Sequence, residues 1–317
     1  MQRIILAPGQ GAQAISMAKA WCEKSAEARS IFDLADAALT QLPAGAKLSE
    51  LCFNGPAELL NRTDVSQPAI FTASVACWNG LNAQWRERGE VVPPVAAAGL
   101  SLGEYTALHL AGVFSFAEGL ALVALRGQAM QQAAETTPSG MVALIGADEA
   151  KAMALCDQAR AAAGTDAVLV CANFNAPGQI VISGSKLACE KAVELAGQHG
   201  VRGQALAVAG AFHSPIMKSA AELLGARLAS TGMAPPNFTV YSNVTAKPHV
   251  ADTASIRQRL VDQLTSPVRW AESCLAMVQD GSLAGAEYHE LAPGKTLSGL
   301  FKRINRDTVV TNHDQPA

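Results

Sequence analysis

A chain of 317 residues that is 50% hydrophobic can bury a substantial core, so it is a globular protein of one large domain or two small ones. With 24 Lys plus Arg against 27 Asp plus Glu, the net charge is -3 and only 16% of residues are charged, which excludes a global basic field for nucleic acid. Seven scattered cysteines lack metal-ligand spacing and disulfide-framework density, and read as reduced thiols of a cytoplasmic protein. Four apolar residues between Arg3 and Pro8 are too few for a signal-peptide core, and no apolar run is long enough to span a bilayer.

In chain order, Ile4-Ile5-Leu6-Ala7 predicts a buried first strand, followed by a glycine-bearing loop, Pro8-Gly9-Gln10-Gly11-Ala12-Gln13, that opens a helix through Met17 and Trp21. Helical patterning dominates to about residue 88. Val95-Ala96-Ala97-Ala98 reads as a short buried strand and residues 104–111 as the helix after it. Between them, Gly99-Leu100-Ser101-Leu102-Gly103 fits a strained strand-to-helix turn that presents one serine hydroxyl as a nucleophile. A further helix over 116–134 carries Leu120, Val123, Ala124 and Gly127 on an apolar face and includes Arg126 and Gln128. Parallel strands joined by helices predict an α/β architecture of α/β-hydrolase type, with the elbow at a strand's carboxyl end.

The middle of the chain changes pattern. Strand 141–146, helix 148–163, strand 167–172, strand 180–183, helix 186–199 and strand 203–208 spell β-α-β-β-α-β, with Gly200 as a helix cap. This ferredoxin-like unit, residues 137–208, is expected as a small subdomain inserted into a larger catalytic body made of 1–136 and 209–317, with the active site between them. A helix over 215–230, a strand over 238–242 and helices over 256–264 and from 268 follow, and residues 312–317 are expected as a frayed tail.

Alone, the elbow is a weak signal. Taken by itself, Arg126 reads as an ordinary ion pair or solvated edge, Asn175 as a turn residue or a cleft-lining amide, Phe212 as core or as a pocket wall, and Gly9 and Gly11 as a tight turn. Their joint order carries more. Pro8 to Gln13, Ser101-Leu102-Gly103-Glu104-Tyr105, Arg126-Gly127-Gln128-Ala129-Met130, the run from Asn175 to Gly184, Gly210-Ala211-Phe212-His213-Ser214, and Gln263 with Pro267-Val268 occur in sequence along nearly the whole chain. Together they resemble the malonyl-CoA:acyl carrier protein transacylases, which are similar to the acyltransferase domains of fatty acid and polyketide synthases.

The resemblance implies a ping-pong transfer of malonyl from malonyl-CoA to the phosphopantetheine thiol of an acyl carrier protein. It implies Ser101 as nucleophile and His213 as its base, with one imidazole tautomer held by a backbone carbonyl at the position of Gln263. The backbone N–H groups of Gln10 and Leu102 match oxyanion donors. Arg126 matches a guanidinium that grips the free carboxylate of malonate through two parallel hydrogen bonds. Phe212 resembles the form that crowds a branched α-carbon, and Asn175 is a further substrate-binding candidate. No metal or redox cofactor, no nucleic-acid or membrane partner and a monomeric, discrete enzyme are expected. One residue departs from the family pattern: Leu100 stands where a histidine usually precedes the nucleophile. An acyl hydrolase of carrier-bound thioesters and a catalytically silent docking module of the same fold are the alternatives.

Overall fold

The computed structural model describes residues 2–316. Its strands are β1 (Arg3–Ala7), β2 (Pro94–Gly99), β3 (Ser139–Ala147), β4 (Leu169–Ala176), β5 (Gly178–Ser185), β6 (Arg202–Ala205), β7 (Thr239–Tyr241), β8 (Glu287–Leu291) and β9 (Val310–His313). Every residue of β1 is buried, as a central parallel strand covered on both faces requires. It pairs in parallel with β2 on one side and β8 on the other, in a five-stranded sheet of order β7-β2-β1-β8-β9.

Alternation along β1 splits its side chains between two cores. Ile5 joins Ala97, Trp21, Phe32 and Phe71 on one face. Ile4 and Leu6 join Ala96, Ala98, Trp270 and Phe301 on the other. Burying each such side chain contributes roughly 1.5–3 kcal/mol, so the two faces together anchor the sheet whose carboxyl end holds the elbow.

The second sheet is antiparallel, runs β4-β5-β3-β6, and is confined to residues 139–205. One face packs on the helices Glu149–Ala163 and Lys186–Leu195 through Val142, Leu144, Leu155 and Ala192. Met141, Ala172 and Val181 belong instead to the main core, so the other face lies against the α/β body. The two halves are also stitched by main chain: Val268 N donates to Ala172 O at 2.8 Å and Phe174 N to Val268 O at 2.9 Å.

Several expected boundaries shift. The strand expected over 167–172 continues to Ala176, because its edge pairs with β5 as far as Gln179, and this places Asn175 in a strand rather than a turn. The helix expected over 186–199 is α-helical to Leu195 and then tightens to a 3-10 turn, Ala196–His199, closed by Gly200 at φ 66°. The frayed tail expected over 312–317 is corrected. Asn312 and His313 lie in β9, which pairs with β8, and Asp314 Oδ1 accepts from Gly294 N at 2.6 Å. Ala317 falls outside the described residues. The strand β8 itself, EYHEL, hides its period because its second glutamate is buried: Glu290 accepts from Leu297 N and Ser298 N at 2.7 and 2.8 Å and so caps the Thr296–Ile304 helix. Among the described residues no helix is long and apolar enough to cross a membrane.

Candidate active site

The elbow is built by close approach. β2 ends at Gly99 and the helix Gly103–Leu110 begins four residues later, with Ser101 between them at φ 53°, a left-handed backbone that costs a non-glycine residue about 1–2 kcal/mol. A Cβ at Gly99 would fall 1.9 Å from Gly103 C, and one at Gly103 would fall 2.1 Å from Ala7 O. Only residues without a side chain let strand, turn and helix pack this tightly. Behind the turn, Asn243 locks it: its Oδ1 accepts from Ser101 N at 2.7 Å and its Nδ2 donates to Gly99 O at 2.7 Å.

His213 comes to the serine from the segment after the small sheet, itself at φ 57°. Its Nε2 lies 2.8 Å from Ser101 Oγ and its Nδ1 2.8 Å from the Gln263 carbonyl oxygen. A carbonyl can only accept, so Nδ1 carries the hydrogen and Nε2 is left to accept from the hydroxyl. Burial pushes the imidazole pKa down to about 4, the nearby Arg126 charge pushes the same way, and the Gln263 carbonyl opposes both. The ring is therefore a neutral base at pH 7.

Arg126 is 1% exposed, and its guanidinium donates to neutral oxygens among the described residues. Nη1 donates to Gln67 Oε1 at 2.7 Å, and Nη2 donates to Ser101 Oγ at 3.1 Å and to Gln263 Oε1 at 3.0 Å. Its Nε has no partner among the described residues. Burial pulls its pKa down, opposed by Tyr105 and Glu104. A desolvated cation whose hydrogen-bond partners among the described residues are neutral is poised for an anion.

These side chains open on a cavity of about 550 Å³ lined by Ser101, His213, Arg126, Gln10, Phe212 and Asn175, and also by Leu100. Asn175 Oδ1 is buried without a hydrogen-bond partner among the described residues. Leu102 is fully buried behind the turn and Gln263 is fully buried behind the histidine; neither lines the cavity. Neither the Gln10 N–H nor the Leu102 N–H donates a hydrogen bond among the described residues.

Sequence reasoning missed Gln67, Asn243, Glu104 and His249. Gln67 is hidden in the long Thr63–Glu87 helix, though a glutamine beside Pro68 within an apolar run is a signal. Asn243 sits just past β7, at the carboxyl end of a parallel strand, where site residues gather, and that rule could have found it.

Residues 5–293 match the family model for the acyl transferase domain. The chain belongs to this family. The acyltransferase is 41% identical over 301 residues to the malonyl CoA-acyl carrier protein transacylase of Haemophilus influenzae, covering 95% of this chain and 91% of that one. Its fold is similar to a crystal structure of the malonyl-CoA:acyl carrier protein transacylase of Xanthomonas oryzae, with a TM-score of 0.89 at 39% identity, covering 100% of this chain and 96% of that one. It is also similar, with a TM-score of 0.88 at 34% identity over 100% of this chain and 97% of that one, to a malonyl-transacylase in complex with its type II PKS acyl-carrier protein. Five of the six segments by which the acyltransferase resembled that family in sequence line one cavity, with Leu100 in its wall, and Gln263 from the sixth backs it through His213 and Arg126.

Proposed function

We propose that this acyltransferase moves a malonyl group from malonyl-CoA to the phosphopantetheine thiol of an acyl carrier protein, through an acyl ester on Ser101. In the first half-reaction Ser101 Oγ attacks the thioester carbonyl carbon while its proton passes to His213 Nε2. The carbonyl oxygen becomes an oxyanion that the Gln10 and Leu102 N–H groups receive, having no competing acceptor among the described residues. Collapse breaks the carbon–sulfur bond, and the departing coenzyme A thiolate takes the proton from His213. In the second half-reaction the carrier thiol gives its proton to His213 Nε2, its sulfur attacks the ester, and Ser101 leaves with that proton.

The Gln263 carbonyl holds the imidazole in the required tautomer throughout. Arg126 pairs with the free carboxylate of malonyl, Phe212 crowds a branched α-carbon, and the unpartnered Asn175 Oδ1 faces acceptor-seeking groups of the substrate. The single observation that carries the malonyl assignment is Arg126 itself, a buried guanidinium 3.1 Å from the nucleophile with no anionic hydrogen-bond partner among the described residues. Every proton has a donor and an acceptor in this scheme, so it calls for no metal or redox cofactor. A cytoplasmic, monomeric enzyme with residues 137–208 as an inserted subdomain completes the reading.

Intact-mass measurement after mixing with malonyl-CoA tests it. One malonyl adduct is expected on the wild type and none on Ser101→Ala, and a holo acyl carrier protein should remove the adduct faster than buffer does. Loss of the adduct to water at the same rate with and without carrier would make the protein a hydrolase, and no adduct on the wild type would make it a silent module.

A further inference from the structure

Behind the nucleophile lies a buried pair that the two half-reactions leave unused. Glu104, with no exposure, and His249, whose side chain is 1% exposed, meet at 2.7 Å between Glu104 Oε1 and His249 Nε2. The loop after β7 delivers the histidine by folding back on its own strand: Ser242 N donates to Lys247 O at 2.9 Å and His249 N to Val240 O at 2.8 Å. The other carboxylate oxygen, Oε2, accepts from Gln263 Nε2 at 2.6 Å and from Asn243 N at 3.1 Å.

A carboxylate accepts only, so it decides which end of the Gln263 amide faces it. With Nε2 drawn to Glu104 and to Ser101 O at 3.0 Å, Oε1 is left facing Arg126 Nη2. The same residue offers its main-chain oxygen to His213 Nδ1. Gln263 thus touches both the guanidinium and the base, and Glu104 sets how it lies.

We propose that Glu104 and His249 form a positioning pair: the His249 N–H holds the Glu104 carboxylate, the carboxylate orients Gln263, and Gln263 aligns Arg126 toward the acyl carboxylate and His213 toward Ser101. The proposal rests on the malonyl-transfer reading above. It assigns His249 a part in substrate selection although it touches no substrate, because misaligning His213 slows every acyl group, whereas misaligning Arg126 adds a penalty for one with a free carboxylate.

The test compares His249→Gln with His249→Asn. A glutamine places an amide nitrogen near the position of Nε2 and keeps the donor to Glu104, whereas the shorter asparagine cannot reach it. Single-turnover loading of Ser101 is followed with malonyl-CoA and with acetyl-CoA, and melting temperature reports folding. His249→Gln should load malonyl within about twofold of wild type, and His249→Asn should lose roughly tenfold for malonyl and less for acetyl, so that the malonyl-to-acetyl ratio falls. A His249→Asn enzyme with the wild-type rate and ratio overturns the proposal. So do two variants equally slow for both acyl groups with the ratio unchanged, since a purely structural histidine would behave in that way. A wild-type enzyme that loads no malonyl removes the parent reading instead, whatever the variants do.

Discussion

Arg126 concentrates the chemistry of the site in one residue. A guanidinium this deeply buried is normally matched by a carboxylate, and here its hydrogen-bond partners are the amide oxygens of Gln67 and Gln263 and the hydroxyl of Ser101. An incoming malonyl carboxylate would give the guanidinium a directly bonded counter-charge, and a plain acyl chain would not. Arg126→Ala should therefore lower kcat/KM for malonyl loading by about 100-fold or more, the cost of a buried charge-assisted contact, while acetyl loading falls far less. Equal losses for both acyl groups in a loading assay would refute the clamp. At this scale the residue types were legible in the sequence, but the partners were not. Arg126 reads equally well as a solvated helix edge until Gln67, 59 positions away, is seen against it.

Elements position these residues through contacts that tolerate no added atoms. The carboxyl end of β2, the Ser101 turn and the start of the Gly103–Leu110 helix are pressed against the end of β1, where the Gly103 Cα faces Ala7 O. Gly103→Ala would force the helix off β1 and swing Ser101 Oγ away from His213. The expected result is a folded protein with loading reduced by about 100-fold, consistent with the cost of misplacing a reacting group by about 1 Å. Retained burst loading in a stopped-flow assay would show that the turn relaxes without moving the hydroxyl. The order of strands and helices around the elbow, and the β-α-β-β-α-β run of the small sheet, follow from period and glycine placement, which is why they could be read in advance. β8 and β9 could not. Their placement depends on Glu290 capping a helix and on Asn312 and Asp314 tying down Gly294, none of which leaves an apolar period in the sequence.

At the scale of the whole molecule, the most strongly shifted histidines are His213 at the site and His289 and His313, which stack between β8 and β9 with Nδ1 and Nε2 3.0 Å apart. Burial first, and then the Arg126, Arg3 and His289 charges respectively, push each pKa down to about 4 from 6.5. The unfolded chain binds the protons that the folded one refuses, so this stability is fully present above pH 6.5 and is lost as pH falls toward 4. Melting temperature should drop between pH 7 and pH 5, and His313→Asn should flatten that drop. A melting temperature unchanged between the two values would show that these rings are free to ionise in place.

Composition and periodicity determined by themselves the α/β class, the elbow and the β-α-β-β-α-β run, because each is written in local spacing along the chain, while the family came from the resemblance that the ordered motifs carry. Tertiary structure alone decided that Gln67, Asn243, Glu104 and His249 surround the site, and that Val310–His313 form a strand. Those residues act by hydrogen bonds between segments 20 to 159 positions apart, and burial of a polar side chain has no periodic signature until the fold supplies its partner.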